Sequence, residues 1–558
     1  MKKTLALVLA LALMLGCMSF ASAEGTMNRE GLTFPELPDN TLKLTVSTAN
    51  FGTDQLPTKM QKLWQEKMEA YLGCKLDITW QVQPWNDFRS NESVALAAGD
   101  LADISTYSQG PLVNGYGADG DVLNINDYAD YLVYYPEFVK GHVGGQAGVN
   151  NEDGSSYVFW DGYENDLNLA GGQSFSAYAY RFDVLKKYDL KPATTWEEFK
   201  TLCAFLKEKI DAGEIENAKY VMSNGASWMA FYRGFVGTFH TWDTTYWNGT
   251  EWAFGPVEEN FRTMLKEIRG LYEAGYIDPE YATDASCDAK AANGNILIVP
   301  TNWAGSVQSW NQSKVSEDME WGLAYLPSSE FGTAWKWGSK LSGKNLGTTL
   351  TMGIIISADT EYPEWVVRLV DYQYSEDIYK MLNWGIEGED FVTLEDGTRT
   401  YVDSVLNAEN PGQELADRGI MSSGSARTGI PFVPQIFSTI LQYSATEPWW
   451  SPEKGYYDGK YWIDTAVNGG PDSISPYDRA PLTKLTEEES TLKATLTSAC
   501  ETYARTYANR FITGELDIND DAAWNEYVAG VKSQTEDFDG FFKTINEKTD
   551  LASLESYK

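Results

Sequence analysis

The order of apolar patterns along the first hundred residues predicts an α/β fold built around a parallel sheet. The segment "LKLTV" (42–46) alternates apolar and polar residues as a strand does, and "KLDITWQV" (75–82) repeats that alternation. Between them, "TKMQKLWQEKMEAYLG" (58–73) places its apolar residues on one helical face and ends in a glycine. A second helix over about 85–98 and a short strand near Ile104 follow. Alternating strands and helices are typical of parallel sheets.

The carboxyl ends of these strands form the first predicted ligand edge. In open parallel sheets, ligands bind beyond the carboxyl ends of the strands. The ends here fall at 48–52, 83–87 and 107–110. We therefore expect these three segments to meet at one edge.

A second α/β unit is predicted to begin near residue 174. Thr195 and Glu198 have the spacing of a capping box, and a helical stripe of apolar residues follows them. The segment "NILIVPTNWAG" (295–305) reads as a buried strand that runs into a loop bearing a tryptophan. Arg181 and Asp183 are expected to pair with each other within this unit.

The amino terminus predicts export. Lys2 and Lys3 precede an apolar run over 5–15, which has the length of a signal peptide's apolar region. Small residues ending at Ala23 favour cleavage there, whereas a lipid anchor on Cys17 is the alternative. No later stretch of about 18 apolar residues follows. The expected location is extracellular or at the cell surface.

Charge and composition narrow the classes of partner. The formal net charge is −37, which repels phosphate backbones and therefore argues against nucleic acid. The chain carries 20 Trp and 33 Tyr but only 2 His. Trp and Tyr offer flat apolar faces with a polar tip, which suits sugar rings. Beyond the signal region, Cys74, Cys203, Cys287 and Cys500 lie far apart, and their spacing specifies no disulfide.

Signatures of catalysis are scarce, so we do not predict an enzyme. The two histidines lie outside any HExxH motif, and the sequence lacks GxSxG. A glycosidase carboxylate pair stays open, because nothing singles one out among 80 acids. No cofactor is predicted. The segment "DINDDAAWNEY" (517–527) faintly resembles a calcium loop but has Ala522 where that loop needs Gly, so a helix N-cap is the better interpretation.

Five segments, in family order, resemble the extracellular solute-binding proteins of ABC importers (family 1, the long lipoprotein-like type of Gram-positive bacteria). They are "LAAGDLADI" (96–104), "YRFDVLKKYDLKPATTWEEF" (180–199), "LYEAGYIDPEY" (271–281), "NWGIEGEDF" (383–391) and "ANRFITGELDINDDAAWNEYV" (508–528). Each is weak alone, but together they span nearly the whole chain. The poor lipobox and a Trp-rich insert near Trp449 depart from the family pattern.

The resemblance implies a two-lobed periplasmic-binding-protein-like fold of type II, with crossing strands at a hinge near 168, 322 and 382. After a signal peptide over 1–23, the first lobe would comprise 40–167 and 323–382. The second lobe would comprise 168–322 and 383–558. The implied ligand is a carbohydrate, the implied partners are ABC permease subunits, and a monomer is expected. A secreted carbohydrate-active enzyme and a binder of a non-sugar solute on the same fold are the alternatives.

Aromatic residues near the expected cleft are the candidate ligand contacts, because a sugar site needs aromatic plates and a few polar groups. Core packing is the competing interpretation for each tryptophan. Trp449 and Trp450 stand among prolines, which favours an exposed rim or lid. The candidates are Trp303, Trp228, Tyr107, Trp384, Glu387, Trp449 and Trp450.

Overall fold

A computed structural model describes most of the chain, and its residues form two units, each with its own sheet and core. The first unit comprises the described residues of 27–160 and 353–420, and the second comprises those of 177–335 and 450–557. The described residues are 27–50, 58–108, 110–140, 149–151, 153–160, 177–225, 230–300, 304–335, 353–395, 399–406, 408, 411–420, 450–451, 455–456 and 481–557.

The strands, in chain order, are β1 (Thr41–Asn50), β2 (Lys75–Pro84), β3 (Ile104–Ser108), β4 (Phe159–Trp160), β5 (Ala177–Arg181), β6 (Thr245–Trp247), β7 (Trp252–Phe254), β8 (Ile298–Val299), β9 (Trp321–Tyr325), β10 (Gly353–Ile356), β11 (Phe391–Thr393), β12 (Arg399–Tyr401), β13 (Leu482–Thr483) and β14 (Thr549–Asp550).

The α-helices are α1 (Lys59–Leu72), α2 (Trp85–Ala98), α3 (Gly110–Asp119), α4 (Tyr135–Lys140), α5 (Phe182–Lys187), α6 (Trp196–Asp211), α7 (Glu259–Glu273), α8 (Asp288–Ala292), α9 (Ala304–Ser313), α10 (Pro363–Tyr372), α11 (Glu376–Trp384), α12 (Asp403–Leu406), α13 (Pro411–Arg418), α14 (Glu487–Thr495), α15 (Glu501–Thr513), α16 (Asp521–Lys532) and α17 (Phe538–Glu547). Among the described residues, none of these helices combines the length and the apolar character needed to cross a bilayer.

The first unit contains the predicted parallel sheet. Its strand order is β2–β1–β3–β10–β4, with β1 parallel to both β2 and β3. The strand β10, which returns from the second unit, is antiparallel to β3 and β4. Helix α1 begins where the Thr58 side chain accepts a hydrogen bond from the Gln61 N–H, and it ends at Gly73, whose φ of 69° suits glycine. The predicted β1–α1–β2–α2–β3 order is confirmed.

The second unit is built around a smaller sheet, ordered β8–β5–β9, in which β5 is antiparallel to both neighbours. Helix α6 starts with the predicted capping box, in which Thr195 and Glu198 exchange side-chain-to-backbone hydrogen bonds. Arg181 and Asp183 also pair as predicted, through two hydrogen bonds of 2.8 and 2.7 Å. These contacts keep both charges within the unit.

Packing groups two stretches differently from the predicted lobe boundaries. Residues 323–325 belong to β9, which pairs with β5 of the second sheet, and Ala334 packs in the second core. Residues after 382, among them Trp384 and Phe391, pack in the first core. The physical reason is burial, because these apolar side chains join the core nearest their own backbone.

The stretches 161–176, 336–352 and 421–449, which separate described segments of the two units, are outside the described residues. Of the three positions near which the hinge is predicted, residue 322 lies in β9, residue 382 lies in α11, and residue 168 is outside the described residues.

Two local predictions about the remaining acids and cysteines hold. The Asp520 side chain accepts a hydrogen bond of 2.9 Å from the Ala522 N–H and begins α16, so this acid is a helix N-cap. The four described cysteines are buried and unpaired with one another. Burial raises the pKa of the Cys203 thiol, which keeps it protonated and unreactive.

Candidate functional site

The carboxyl ends of the first three strands meet at one edge, as predicted, and this edge is lined by hydroxyl groups. The Thr106 hydroxyl donates to Thr48 Oγ1 over 2.9 Å and lies 3.4 Å from the Ser47 carbonyl oxygen. Next to them, Gln83 Nε2 donates to Ser47 Oγ over 3.4 Å. The parallel register explains the convergence, since it sets the end of β1 opposite the end of β2. We call Ser47, Thr48, Gln83, Thr106 and Ser108 the hydroxyl edge.

One carboxylate accompanies the hydroxyl edge. Glu92, on α2, is 5% exposed and accepts a hydrogen bond from the Ser108 hydroxyl at the end of β3. Helix α3 begins two residues later, at Gly110. The carboxylate therefore lies where β3 turns into the next helix.

In the second unit, the described segments next to two stretches of the chain, 226–229 and 301–303, lie close to each other. The Gly225 carbonyl accepts from the Cys287 N–H, and the Ile298 carbonyl accepts from the Ser223 N–H. Further along, a Cβ at Gly234 would lie 2.5 Å from the Pro300 carbonyl oxygen, so only glycine permits this close approach. The chain segments that lead into 226–229 and 301–303 are thus neighbours.

Charged side chains gather beside these flanks. Arg233 Nε lies 2.8 Å from Asp243 Oδ2, and Asp243 is 2% exposed. Glu501, on α15, interacts electrostatically with both members of that pair and with Arg505 on the same helix. We call Arg233, Asp243, Glu501 and Arg505 the ion cluster. It brings together segments that lie more than two hundred residues apart in the chain.

Two buried polar atoms in or next to the ion cluster find no hydrogen-bond partner among the described residues. They are Asp243 Oδ1 and the hydroxyl of Tyr232, the residue before Arg233. The Tyr232 hydroxyl interacts electrostatically with all four members of the cluster. Leaving buried polar groups without a partner costs free energy.

Burial also shifts the acid–base properties of the ion cluster. It raises the pKa of the Glu501 carboxyl to about 7, and the nearby negative charge of Asp243 raises it further, while Arg233 and Arg505 oppose the shift. Near neutral pH, Glu501 is therefore present in both protonated and ionised forms. A group of this kind can donate or accept a hydrogen bond.

The two units are in contact through a pair of helices. Helix α14 of the second unit packs against α3, the helix that follows the hydroxyl edge. Glu501 begins α15, six residues beyond the end of α14 along the chain.

Four of the predicted ligand residues cannot be placed by their side chains. Trp303, Trp228 and Trp449 lie outside the described residues. The backbone of Tyr107 lies in β3 at the hydroxyl edge, but its side chain is outside the described set.

The structure separates Trp384 and Glu387 from those regions. Trp384 is 2% exposed and packs between Phe391 and Tyr401, so its ring presents no face on which a sugar could stack. Glu387 is exposed on a turn, where it accepts a hydrogen bond of 2.6 Å from the Thr393 hydroxyl. The tight turn expected there is present, with φ of 88° at Gly385 and 86° at Gly388. The positions of Trp384 and Glu387 therefore indicate that this segment supports the fold.

Trp450 lies on the second unit beside its sheet. Its N–H donates to the Leu323 carbonyl oxygen over 2.9 Å, and its half-buried ring packs on the second core. In this structure it is therefore held to the edge of β9, and it does not project as a lid.

Sequence reasoning missed the ion cluster entirely. Arg233 and Asp243 lie within one aromatic-rich stretch, but Glu501 and Arg505 belong to an ordinary-looking helix far away. Their spacing of four residues on α15 is common in exposed helices as well. The cluster forms only when α15 packs within the second unit, and the sequence alone does not show that packing.

A second acidic group was tested as a possible metal site. Asp278, Glu280 and Asp284 have carboxylate oxygens within 4.8 Å of one another. The Lys290 ammonium pairs with all three, at 2.6 Å from Asp278, at 2.8 Å from Glu280 and in close contact with Asp284. The three carboxylates and this ammonium therefore form one ion-pair network.

Comparison with known proteins supports the fold and the resemblance. No known family's sequence profile matches the chain. A "Carbohydrate ABC transporter substrate-binding protein" of Streptococcus pneumoniae serotype 4 is 28% identical over 253 residues, which are 42% of this chain and 44% of that protein. The match thus spans less than half the length of that relative.

Solved structures match over nearly the whole chain. An alginate-binding protein solved without calcium has a TM-score of 0.65 at 16% identity, covering 91% of this chain and 98% of its own. A binding protein for human milk oligosaccharides (HMO) from Bifidobacterium longum infantis has a TM-score of 0.64 at 14% identity, covering 92% and 100%. An S. pneumoniae ABC-transporter substrate-binding protein in complex with kestose has a TM-score of 0.65 at 16% identity, covering 91% and 99%.

These matches define the fold. The chain has the two-lobed α/β fold of the solute-binding proteins, as predicted. The resemblance to the extracellular solute-binding proteins of ABC transporters is confirmed.

Proposed function

We propose that the protein captures an oligosaccharide between its two units and delivers it to the permease subunits of an ABC importer. The observation that carries the proposal is the two-unit fold, in which α14 of the second unit packs against α3, the helix that follows the hydroxyl edge of the first. The relatives support the choice of ligand, since they are named for carbohydrate, for human milk oligosaccharides and for kestose. Export to the cell exterior follows from the same relatives and from the apolar amino terminus.

The chemistry of the two regions fits a sugar. Sugar hydroxyls both donate and accept hydrogen bonds, and the Asp243 carboxylate and the Arg233 guanidinium offer both kinds of partner. Trp228 and Trp303 are proposed as stacking plates, because their flanking residues lie beside the ion cluster. Binding requires no cofactor in this proposal.

Capture is expected to close the two units about the hinge that the resemblance implies near 168, 322 and 382. Closure buries the sugar between the hydroxyl edge and the ion cluster and excludes water from both. In small-angle scattering, a saturating neutral oligosaccharide should reduce the radius of gyration of the purified protein. An unchanged radius with a ligand bound at saturation would contradict hinge closure.

The decisive experiment is a calorimetric titration of the mature protein with a panel of oligosaccharides that includes kestose. We expect at least one member to bind with a 1:1 stoichiometry and to survive incubation unchanged. The binding proposal fails if no member binds.

The ion cluster also favours a second candidate, a carbohydrate-active enzyme. Asp243 and Glu501 are carboxyl groups in different environments, and the pKa of Glu501 is raised to about 7, as in a general acid. Analysis of the incubated sugars by mass spectrometry separates the candidates. Shortened products that disappear in Glu501→Gln would establish the enzyme and overturn the binding proposal.

A further inference from the structure

A fourth strand of the first sheet ends beside the hydroxyl edge, and two tyrosines bind its backbone. We propose that the carboxyl end of β4 is part of the surface that binds the sugar, and that Tyr135 and Tyr374 are the positioning residues for it. The proposal rests on the proposed function, because it concerns the same edge of the first sheet. It adds two residues that the sequence does not single out.

The register of the sheet places the end of β4. Strand β10 is antiparallel to both β3 and β4, so β4 runs parallel to β3 and the two strands end at the same edge. Gly353 lies opposite Ser108 on one side and opposite Trp160 on the other. The end of β4 is therefore level with the end of β3, about 10 Å away across two strand spacings. Ligands bind beyond the carboxyl ends of strands in sheets of this kind.

Pairing with its neighbour alone would hold β4 weakly. The strand has two residues and comes last in the order of its sheet, so among the described residues it pairs with β10 only. The Tyr135 hydroxyl donates to the Val158 carbonyl oxygen over 3.1 Å and accepts from the Trp160 N–H over 3.2 Å. The Tyr374 hydroxyl donates to the Trp160 carbonyl oxygen over 2.8 Å. Both backbone groups of Trp160 are thus bonded to tyrosines.

The two tyrosines come from different parts of the first unit. Tyr135 begins α4, Tyr374 lies between α10 and α11, and both are buried. Their rings pack edge to face, with centroids 4.8 Å apart. Burial raises the pKa of the Tyr135 hydroxyl, so this group stays protonated and able to donate. The pair therefore ties α4 and the junction of α10 with α11 to the end of β4.

Preorganisation is the physical reason why this arrangement affects binding. A strand end that is already ordered in the free protein does not have to be ordered by the ligand, so less of the binding free energy is lost. Replacing either tyrosine by phenylalanine keeps the ring but removes the hydrogen bonds of its hydroxyl. The resulting loss of affinity can reach the strength of one ordinary hydrogen bond, which corresponds to about fivefold.

The test compares Tyr374→Phe with Tyr401→Phe, each of which removes one buried hydroxyl from the first core. The Tyr401 hydroxyl donates to the Asn383 carbonyl oxygen over 3.0 Å and belongs to β12, outside the first sheet, so this variant is a matched control. Thermal melting measures the stability that each variant loses. Calorimetric titration with kestose, or with the member of the oligosaccharide panel that binds the wild type, measures the affinity. We expect similar small decreases in melting temperature and a severalfold weaker affinity in Tyr374→Phe alone.

Tyr135→Phe is the second variant. It removes both a donor and an acceptor and leaves the Trp160 N–H without its partner, so it should weaken binding more than Tyr374→Phe does. If the two variants at β4 bind as tightly as the wild type, or lose no more affinity than Tyr401→Phe, the inference is overturned while the proposed function stands. If no member of the panel binds the wild type, the proposed function fails and the inference fails with it.

Discussion

The hydroxyl edge of the first unit and the ion cluster of the second differ in how they are assembled. The hydroxyl edge is made by three parallel strands and the turns that follow them, all within about sixty residues. The ion cluster joins Arg233 and Asp243 to a helix that begins at residue 501. One region follows from local topology and the other from long-range packing, which is why only the first was foreseen.

The two regions also differ in charge. The hydroxyl groups of Thr48, Thr106 and Ser108 are buried and are bonded to one another or to Glu92. The ion cluster instead gathers charged side chains from two distant segments.

The largest expected effect is a loss of stability, and it tests whether Trp384 is a core residue or a ligand contact. Trp384→Ala removes a ring that is 2% exposed and should lower the free energy of unfolding by about 3–5 kcal/mol. Urea denaturation measures the loss. Trp450→Ala, at a half-buried position, is the control and should cost less. A small loss of unfolding free energy in Trp384→Ala, together with abolished sugar binding, would show instead that Trp384 contacts the ligand.

For Trp303, the expected loss is in sugar binding and not in stability. If Trp303 stacks on the sugar, Trp303→Ala should weaken binding by more than tenfold, equivalent to about 2 kcal/mol, with little change in melting temperature. Calorimetric titration and thermal melting of the same sample give both quantities. A large drop in melting temperature with affinity retained would identify Trp303 as a core residue.

The smallest expected effect concerns the ion cluster and pH. The pKa of Glu501 is raised from 4.5 to about 7 in the folded protein, so its protonated form is favoured by folding. Its contribution to stability is therefore complete below about pH 4.5 and is lost as the pH rises through 7. Thermal melting between pH 4.5 and 8 should show a flatter profile for Glu501→Gln than for the wild type. Identical slopes would show that Glu501 does not carry this dependence.

Sequence reasoning recovered the elements that depend on neighbours in the chain. The capping box at Thr195 and Glu198, the N-cap at Asp520 and the turn glycines Gly385 and Gly388 were all predicted, because each is fixed by residues a few positions apart. The resemblance to the family also predicted the two-lobed fold. The lobe boundaries were harder to predict. Residues 383–420 contribute apolar side chains to the first core, and the sequence does not show which of the two cores such side chains join.

By itself, then, the sequence determined the strand and helix order of the first unit, the convergence of its strand ends and the resemblance to solute-binding proteins. Alternation, capping and turn chemistry act over short distances, and the family segments lie in order along the chain. The tertiary structure decided that Trp384 is a core residue, that Lys290 fills the acidic group around Asp278, and that Glu501 and Arg505 stand beside Arg233 and Asp243. The reason is physical, because burial and charge pairing between distant segments arise only when the two units have packed.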